Sequence, residues 1–164
     1  WRVEDLHSLN GVYLRTTGRT ALMSGDLILL GSQVLQFQLV TEDERQLGVL
    51  AQHGRGVFGI YPVTCLALLE QQTTAGLVCE QYDVHRDETT LGREQGDIVF
   101  TGDAFLSRKH AILRRDPKSG GFSIEDLDSS NGTYLAVRGG AALKDGDKLR
   151  FGQHLFRFER PAAS

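Results

Sequence analysis

The chain has 164 residues, 40% of them apolar, and its length holds one ordinary domain or two small ones with enough apolar side chains to exclude a disordered chain. Its 18 Lys+Arg against 21 Asp+Glu leave a formal charge of -3, the wrong sign for a protein that wraps nucleic acid by neutralising phosphates, and no apolar run approaches a membrane-spanning helix. Two cysteines, Cys65 and Cys79, exclude a disulfide scaffold, and with no CxxC pair or histidine cluster neither metal nor cofactor is expected. Whether those two cysteines can pair is open. The opening Trp1-Arg2-Val3-Glu4-Asp5 has no signal-peptide core, so a reduced, cytoplasmic setting is expected, without membrane or nucleic-acid partners.

From the N-terminus, residues 1–37 repeat residues 122–158 at a constant offset of 121 with no gap. Glu4-Asp5-Leu6 lies on Glu125-Asp126-Leu127, Ser8 on Ser129, Asn10-Gly11 on Asn131-Gly132 and Tyr13-Leu14 on Tyr134-Leu135. The agreement continues through Gly18, Ala21, Leu22, Gly25-Asp26, Gly31 and Phe37, which fall on Gly139, Ala142, Leu143, Gly146-Asp147, Gly152 and Phe158. Shared turn residues and shared apolar phase predict that both segments fold alike. The first copy lacks all that precedes Phe122 in the second, so the chain divides into a partial module (1–37), a connector (38–61) and a complete module (62–160).

In the connector, Thr41 to Gln52 is the best helix candidate, with a cap-like Thr41 and Glu44 three residues on, but Gly48 interrupts it. Leu47 to Leu50 and Val57 to Tyr61 are competing strand candidates. From Thr101 onward short apolar runs alternate with turn residues: Ala111-Ile112-Leu113, Phe122-Ser123-Ile124, Tyr134 to Val137, Lys148 to Phe151 and Leu155 to Phe158. Asn131-Gly132 and Asp145-Gly146 are dipeptides of tight turns, and this punctuation predicts an all-β chain packed as a sandwich or barrel.

The complete module resembles the forkhead-associated (FHA) domain family. The motifs that carry the resemblance are Leu91-Gly92-Arg93, Asp97-Ile98-Val99-Phe100, Leu106-Ser107-Arg108-Lys109-His110-Ala111, Asp126-Leu127-Asp128-Ser129-Ser130-Asn131-Gly132-Thr133-Tyr134 and Leu143-Lys144-Asp145-Gly146-Asp147. The resemblance implies an FHA-like β-sandwich of about eleven strands, with a further partial FHA-like segment at the N-terminus. It implies that loops at one end read phosphothreonine in a partner protein, and hence a Ser/Thr kinase in the same cell.

A phosphothreonine carries about -1.5 to -2 charges and three strong acceptor oxygens, so its reader needs a guanidinium, hydroxyl or amide donors and rigid loops to aim them. Arg93 supplies the planar fork, with Gly92 permitting a close backbone turn before it. By resemblance Ser107 is the phosphate-binding hydroxyl, Arg108 the basic neighbour, Ser130 a further donor and Asn131 the amide that holds the peptide main chain. Gly132 permits the turn presenting Asn131. His110, followed by apolar Ala111-Ile112-Leu113, reads as a brace inside the loops, and the recurring acidic pair Glu125 and Asp126 reads as structural.

The N-terminal copy departs from this pattern. Its only Gly-Arg, Gly18-Arg19, follows its Asn-Gly turn, it has no Ser-x-x-His, and Leu9 and Val12 stand where the complete module has Ser130 and Thr133, so no phosphopeptide role is expected of it. Half a sandwich leaves open edges and apolar faces. Three explanations compete: a piece of a longer tandem protein, which is the simplest; packing of the half on the complete module; or self-association by exchange of halves between chains. Catalysis is not expected, because Ser107 and His110 lack a recognisable orienting carboxylate and neither a GxSxG elbow nor a GxxxxGK[ST] loop occurs. A phosphate-independent structural or oligomerising FHA scaffold is the other reading.

Overall fold

The computed structural model describes residues 1–41, 64–73 and 76–161. The helix candidate beyond Thr41 and the strand candidates Leu47 to Leu50 and Val57 to Tyr61 lie outside the described residues. Among those residues the chain is all-β, as its sequence predicts, with fifteen strands and no helix.

Five strands precede the connector: β1 (Arg2–Val3), β2 (Val12–Arg15), β3 (Thr20–Leu22), β4 (Asp26–Leu30) and β5 (Gln33–Leu39). After it come β6 (Ala67–Gln72), β7 (Val78–Val84), β8 (Glu88–Gly92), β9 (Ile98–Val99) and β10 (Ala111–Arg115). The last five are β11 (Phe122–Asp126), β12 (Thr133–Ala136), β13 (Ala141–Ala142), β14 (Lys148–Phe151) and β15 (His154–Arg157). They form an eight-stranded sheet in the order β15-β14-β2-β12-β4-β5-β6-β7, a five-stranded sheet β3-β11-β10-β8-β9 and a two-stranded sheet β1-β13.

The strands are amphipathic with the period of two that a half-buried sheet requires. On β5, Leu35 and Phe37 point inward between outward Gln36 and Gln38; on β11, Phe122 and Ile124 do the same around Ser123. The main core lies between the two large sheets, where Ile28, Leu30, Leu35, Phe37 and Leu69 meet Leu91, Leu113, Phe122 and Ile124. Phe37 and Phe122 stack at 5.4 Å between centroids. Each such side chain contributes about 1.5–3 kcal/mol by burial.

The two ends of the chain interleave rather than folding side by side. β12 takes β4 as a neighbour and β2 takes β14, while β2 and β12 pair with each other at Leu14↔Leu135. The registers are related by the same offset of 121: Ile28↔Leu135 answers Leu149↔Leu14, and Leu29↔Tyr134 answers Arg150↔Tyr13. Leu14 and Leu135 therefore lie on a local two-fold that swaps the two ends. β3 likewise pairs with β11 at Ser123↔Ala21, and β1 with β13 at Arg2↔Ala142. Tyr13 and Tyr134, equivalent by the offset, pack with Leu29 as a small second cluster, and burial raises both phenol pKa values.

Candidate functional site

Three loops converge: the one after β8, the one between β9 and β10, and the one between β11 and β12. At the end of β8, Gly92 is buried, and a Cβ there would collide with the carbonyl oxygens of Arg108 and Gln95. Only glycine allows the two strands of loop to lie this close. The approach lets the amide of Arg93 donate to the Ser107 carbonyl oxygen at 3.0 Å and that of Gln95 to the Arg108 carbonyl oxygen at 3.0 Å. The first loop thus positions the Ser107 segment by main-chain bonds.

His110 braces the second and third loops from inside. It is fully buried, and its Nδ1 accepts the Ser107 amide at 3.1 Å, which leaves the proton on Nε2 to donate to the Gly132 carbonyl oxygen at 3.2 Å. Burial pushes its pKa down from 6.5, against the Gly132 carbonyl and the Asp126 carboxylate that act to raise it, so the ring is neutral at physiological pH.

The β11–β12 turn is built on Asp126. Its carboxylate accepts the Ser129 amide at 3.0 Å, the Ser129 hydroxyl at 2.6 Å and the Thr133 hydroxyl at 2.7 Å, and the Ser129 oxygen in turn accepts the Gly132 amide at 2.9 Å. This network holds Asp128 at a φ of 53° and Gly132 at 82°, conformations that side chains disfavour and glycine tolerates. The N-terminal copy repeats the device with the Ser8 amide on Asp5 at 3.1 Å and His7 at a φ of 59°.

These supports bring the sequence-selected residues together. The Ser107 Oγ accepts the Ser130 amide at 3.1 Å and still has its own proton to donate, while the Asn131 amide nitrogen donates to the Phe105 carbonyl oxygen at 2.8 Å. Arg93 and Arg108 both meet Glu94, at 2.9 Å and 3.5 Å. Ser130, Asn131 and Arg108 are exposed, and Arg93 and Ser107 half-buried. The result is a solvent-facing set of guanidinium, hydroxyl and amide donors on a braced frame, of the chemistry that a phosphate accepts from. Among the described residues no three His, Cys, Asp or Glu side chains gather to hold a metal, and no helix is long and apolar enough to cross a membrane.

Three residues of this region escaped sequence reasoning. Glu94 follows the Gly-Arg directly and bridges the two arginines, and its adjacency to Arg93 is the signal for it in the sequence. Phe105 stands exposed beside Ser107. Asp103, buried, accepts the Ser32 amide at 2.9 Å, the Ser32 hydroxyl at 2.6 Å, the Gln33 side chain at 2.7 Å and the Phe105 amide at 2.9 Å. Burial raises its pKa, but the bonds from Ser32, Gln33 and Phe105 outweigh that and hold the carboxyl below its usual value. No local signal links Ser32 to Asp103.

Two packed sheets that present phosphate-type donors on loops at one end define a β-sandwich recognition module. Residues 89–152 match the FHA domain family. It is 37% identical over 81 residues to the oxoglutarate dehydrogenase inhibitor of Corynebacterium diphtheriae, covering 48% of this chain and 55% of that protein. It is 29% identical over 100 residues to the glycogen accumulation regulator GarA of Mycobacterium tuberculosis, covering 60% and 59%. The chain therefore spans a little over half the length of these relatives. Among solved structures it is similar to Mycobacterium tuberculosis EmbR in complex with a low affinity phosphopeptide, at 28% identity and a TM-score of 0.31, over 57% of this chain and 27% of that one.

Proposed function

We propose that the chain is the phosphothreonine-reading part of a regulatory or adaptor protein, and that it binds threonine-phosphorylated partners produced by a Ser/Thr kinase in the cytoplasm. Arg93 and Ser107 take the phosphate, with Arg108 adding charge and Ser130 a further donor. Asn131 holds the peptide main chain. Gly92, His110 and Gly132 shape the loops.

The observation that carries this reading is that Ser107, Ser130, Asn131 and Arg93 are tied into one frame through His110, Gly92 and the Asp126 turn. Fixing donors before the ligand arrives lowers the ordering cost of binding. A scaffold without ligand needs the frame but not the outward donors. Binding of phosphothreonine, phosphoserine and unphosphorylated peptides to the chain and to Arg93→Ala tests it: selective, Arg93-dependent capture of phosphothreonine is expected, and equal capture of the unphosphorylated peptide contradicts it.

The domain organisation belongs to the same proposal. Residues 1–37 are a degenerate second half of an FHA module, lacking the phosphate-binding front, and 62–160 carry a full set of FHA segments. What supports this is the repetition of bonds at the offset of 121. The Gly25 amide on the Phe37 carbonyl answers Gly146 on Phe158, the Met23 amide on Asp26 answers Lys144 on Asp147, and Thr16 on the Thr133 carbonyl answers Val137 on Val12.

A further inference from the structure

One charged side chain of the N-terminal copy reaches the turn that presents Asn131. β2 lies beside β12 with Arg15 opposite Tyr134, and its end is fastened there by the Thr16 amide and hydroxyl, which donate to the Thr133 carbonyl oxygen at 2.9 Å and 3.1 Å. Half-buried Arg15 lays its guanidinium against Gly132: a Cβ built on that glycine would collide with Nε and come within 2.8 Å of Cζ and 3.0 Å of Nη2. Gly132 thus serves the site twice, by its positive φ and by the room it leaves for a cation. The charge is felt inside the site: burial lowers the His110 pKa and raises that of Tyr134, and the Arg15 guanidinium acts to lower both.

The repeat shows that the strand pairing does not require this arginine. At the offset of 121 its counterpart is Ala136, which takes the equivalent place opposite Tyr13 in the same strand pair. The counterpart of Gly132 is Gly11, and a Cβ there would meet the Tyr13 ring at 3.2 Å instead. The arginine is therefore present at the Asn-Gly turn that is tied to Ser107 through the Ser130 amide, and an alanine stands in its place at the other. Arg93 and Arg108 share Glu94, whereas among the described residues no hydrogen bond or ion pair engages the Arg15 guanidinium.

We propose that Arg15 is a specificity-determining residue of the phosphopeptide site, and that it selects partners with an acidic residue close to the phosphothreonine. The proposal rests on the phosphothreonine reading and deepens it. The His110 ring, with a hydrogen bond on either side, separates Ser107 from Gly132, so a phosphate held at Ser107 and Arg93 does not reach Arg15. An extended peptide, at about 3.3 Å per residue, crosses that gap within about three residues. Asn131, exposed and next to Gly132, holds the main chain along this path, and a Glu or Asp side chain there meets the guanidinium in a charge-assisted, bidentate pair. The N-terminal copy, which lacks the phosphate-binding motifs, in this way takes part in choosing the partner.

The test uses the full chain and a phosphothreonine peptide with alanine at the three positions on each side, alongside versions with one alanine replaced by glutamate or by lysine. By fluorescence anisotropy the wild type is expected to bind at least one glutamate peptide about two- to fivefold more tightly than the all-alanine peptide, the scale of an exposed ion pair. Arg15→Ala, which installs the side chain found at the counterpart position, should lose that gain and keep its affinity for the all-alanine peptide. Arg15→Glu should reverse the preference, toward lysine at the same position, a result that misfolding cannot produce. No glutamate preference in the wild type, or a preference that both variants retain, overturns the proposal. The all-alanine peptide separates the two layers. If it binds with dependence on phosphate and Arg93 while glutamate adds nothing, the role of Arg15 alone fails; if it does not bind, the phosphothreonine reading fails and the role of Arg15 with it.

Discussion

The hydroxyl of Ser32 donates to Oδ2 of Asp103 at 2.6 Å, joining the β4–β5 turn to the loop that carries Ser107 across 71 residues of sequence. Asp103 also takes the Gln33 side chain and the Phe105 amide, so one buried carboxylate sets the loop from which Ser107 and Phe105 project. Asp103→Ala removes the shared acceptor of part-buried bonds from Ser32, Gln33 and Phe105, and bonds to a charged group are worth about 1.5–3 kcal/mol. Chemical denaturation should show that loss, and phosphopeptide titration should show weaker binding although Asp103 does not reach the ligand.

Gly31 and Gly152 make the same point as a matched pair. Both turns have a positive φ, 56° and 57°, so alanine costs about 1–2 kcal/mol at either. At Gly31 a Cβ would also press on Asp103 and Leu106 at 3.0 Å, whereas at Gly152 it would meet open space. Gly31→Ala should therefore weaken phosphopeptide binding and Gly152→Ala should not, at comparable backbone cost; isothermal titration of the two variants decides it.

Glu94 holds Arg93 at 2.9 Å and Arg108 at 3.5 Å in the free protein, and a phosphate must compete with its carboxylate for both guanidinium groups. Glu94 and Arg108 are exposed and Arg93 half-buried, so solvent screens the pairs and the effect is modest. Glu94→Gln should tighten phosphopeptide binding about two- to fivefold, the scale of an exposed ion pair, while wild-type affinity falls as salt rises. Fluorescence anisotropy at several ionic strengths measures both.

His110 gives the fold a pH dependence of definite sign. Its folded pKa lies below the 6.5 of the free side chain because burial disfavours the cation. Between the two values the unfolded chain binds a proton that the native chain does not, so stability rises with pH there and is lost as pH falls below about 6.5. Denaturation curves from pH 8 to pH 5 should show that fall, and His110→Asn should start less stable with a flatter profile.

The turn chemistry was legible in the sequence because it depends on local rules: Gly92 and Gly132 on steric room, and the acidic pair at Glu125 and Asp126 as a structural feature that recurs at Glu4 and Asp5. The strand pattern was legible for the same reason, since period-two alternation on β5 and β11 is a local property. The partner of β12 was not. β4 and β14 carry the same pattern at the same offset, so either fits beside β12, and only the folded chain selects Ile28↔Leu135. The tie from Ser32 to Asp103 was hidden by the same exchange, because it joins one end of the chain to the middle of the other module.

Arg93 bears the central claim most directly. Charge-assisted bonds to phosphate are worth about 1.5–3 kcal/mol each, and only a guanidinium offers two in one plane. The decisive measurement is titration of phosphothreonine peptides into the wild type, Arg93→Lys and Arg93→Ala, with circular dichroism to establish that each variant is folded. The account predicts tight, phosphate-dependent binding by the wild type, at least about tenfold weaker binding by Arg93→Lys, and none detectable for a folded Arg93→Ala. Undiminished binding by folded Arg93→Ala, or equal affinity for the unphosphorylated peptide, would contradict it.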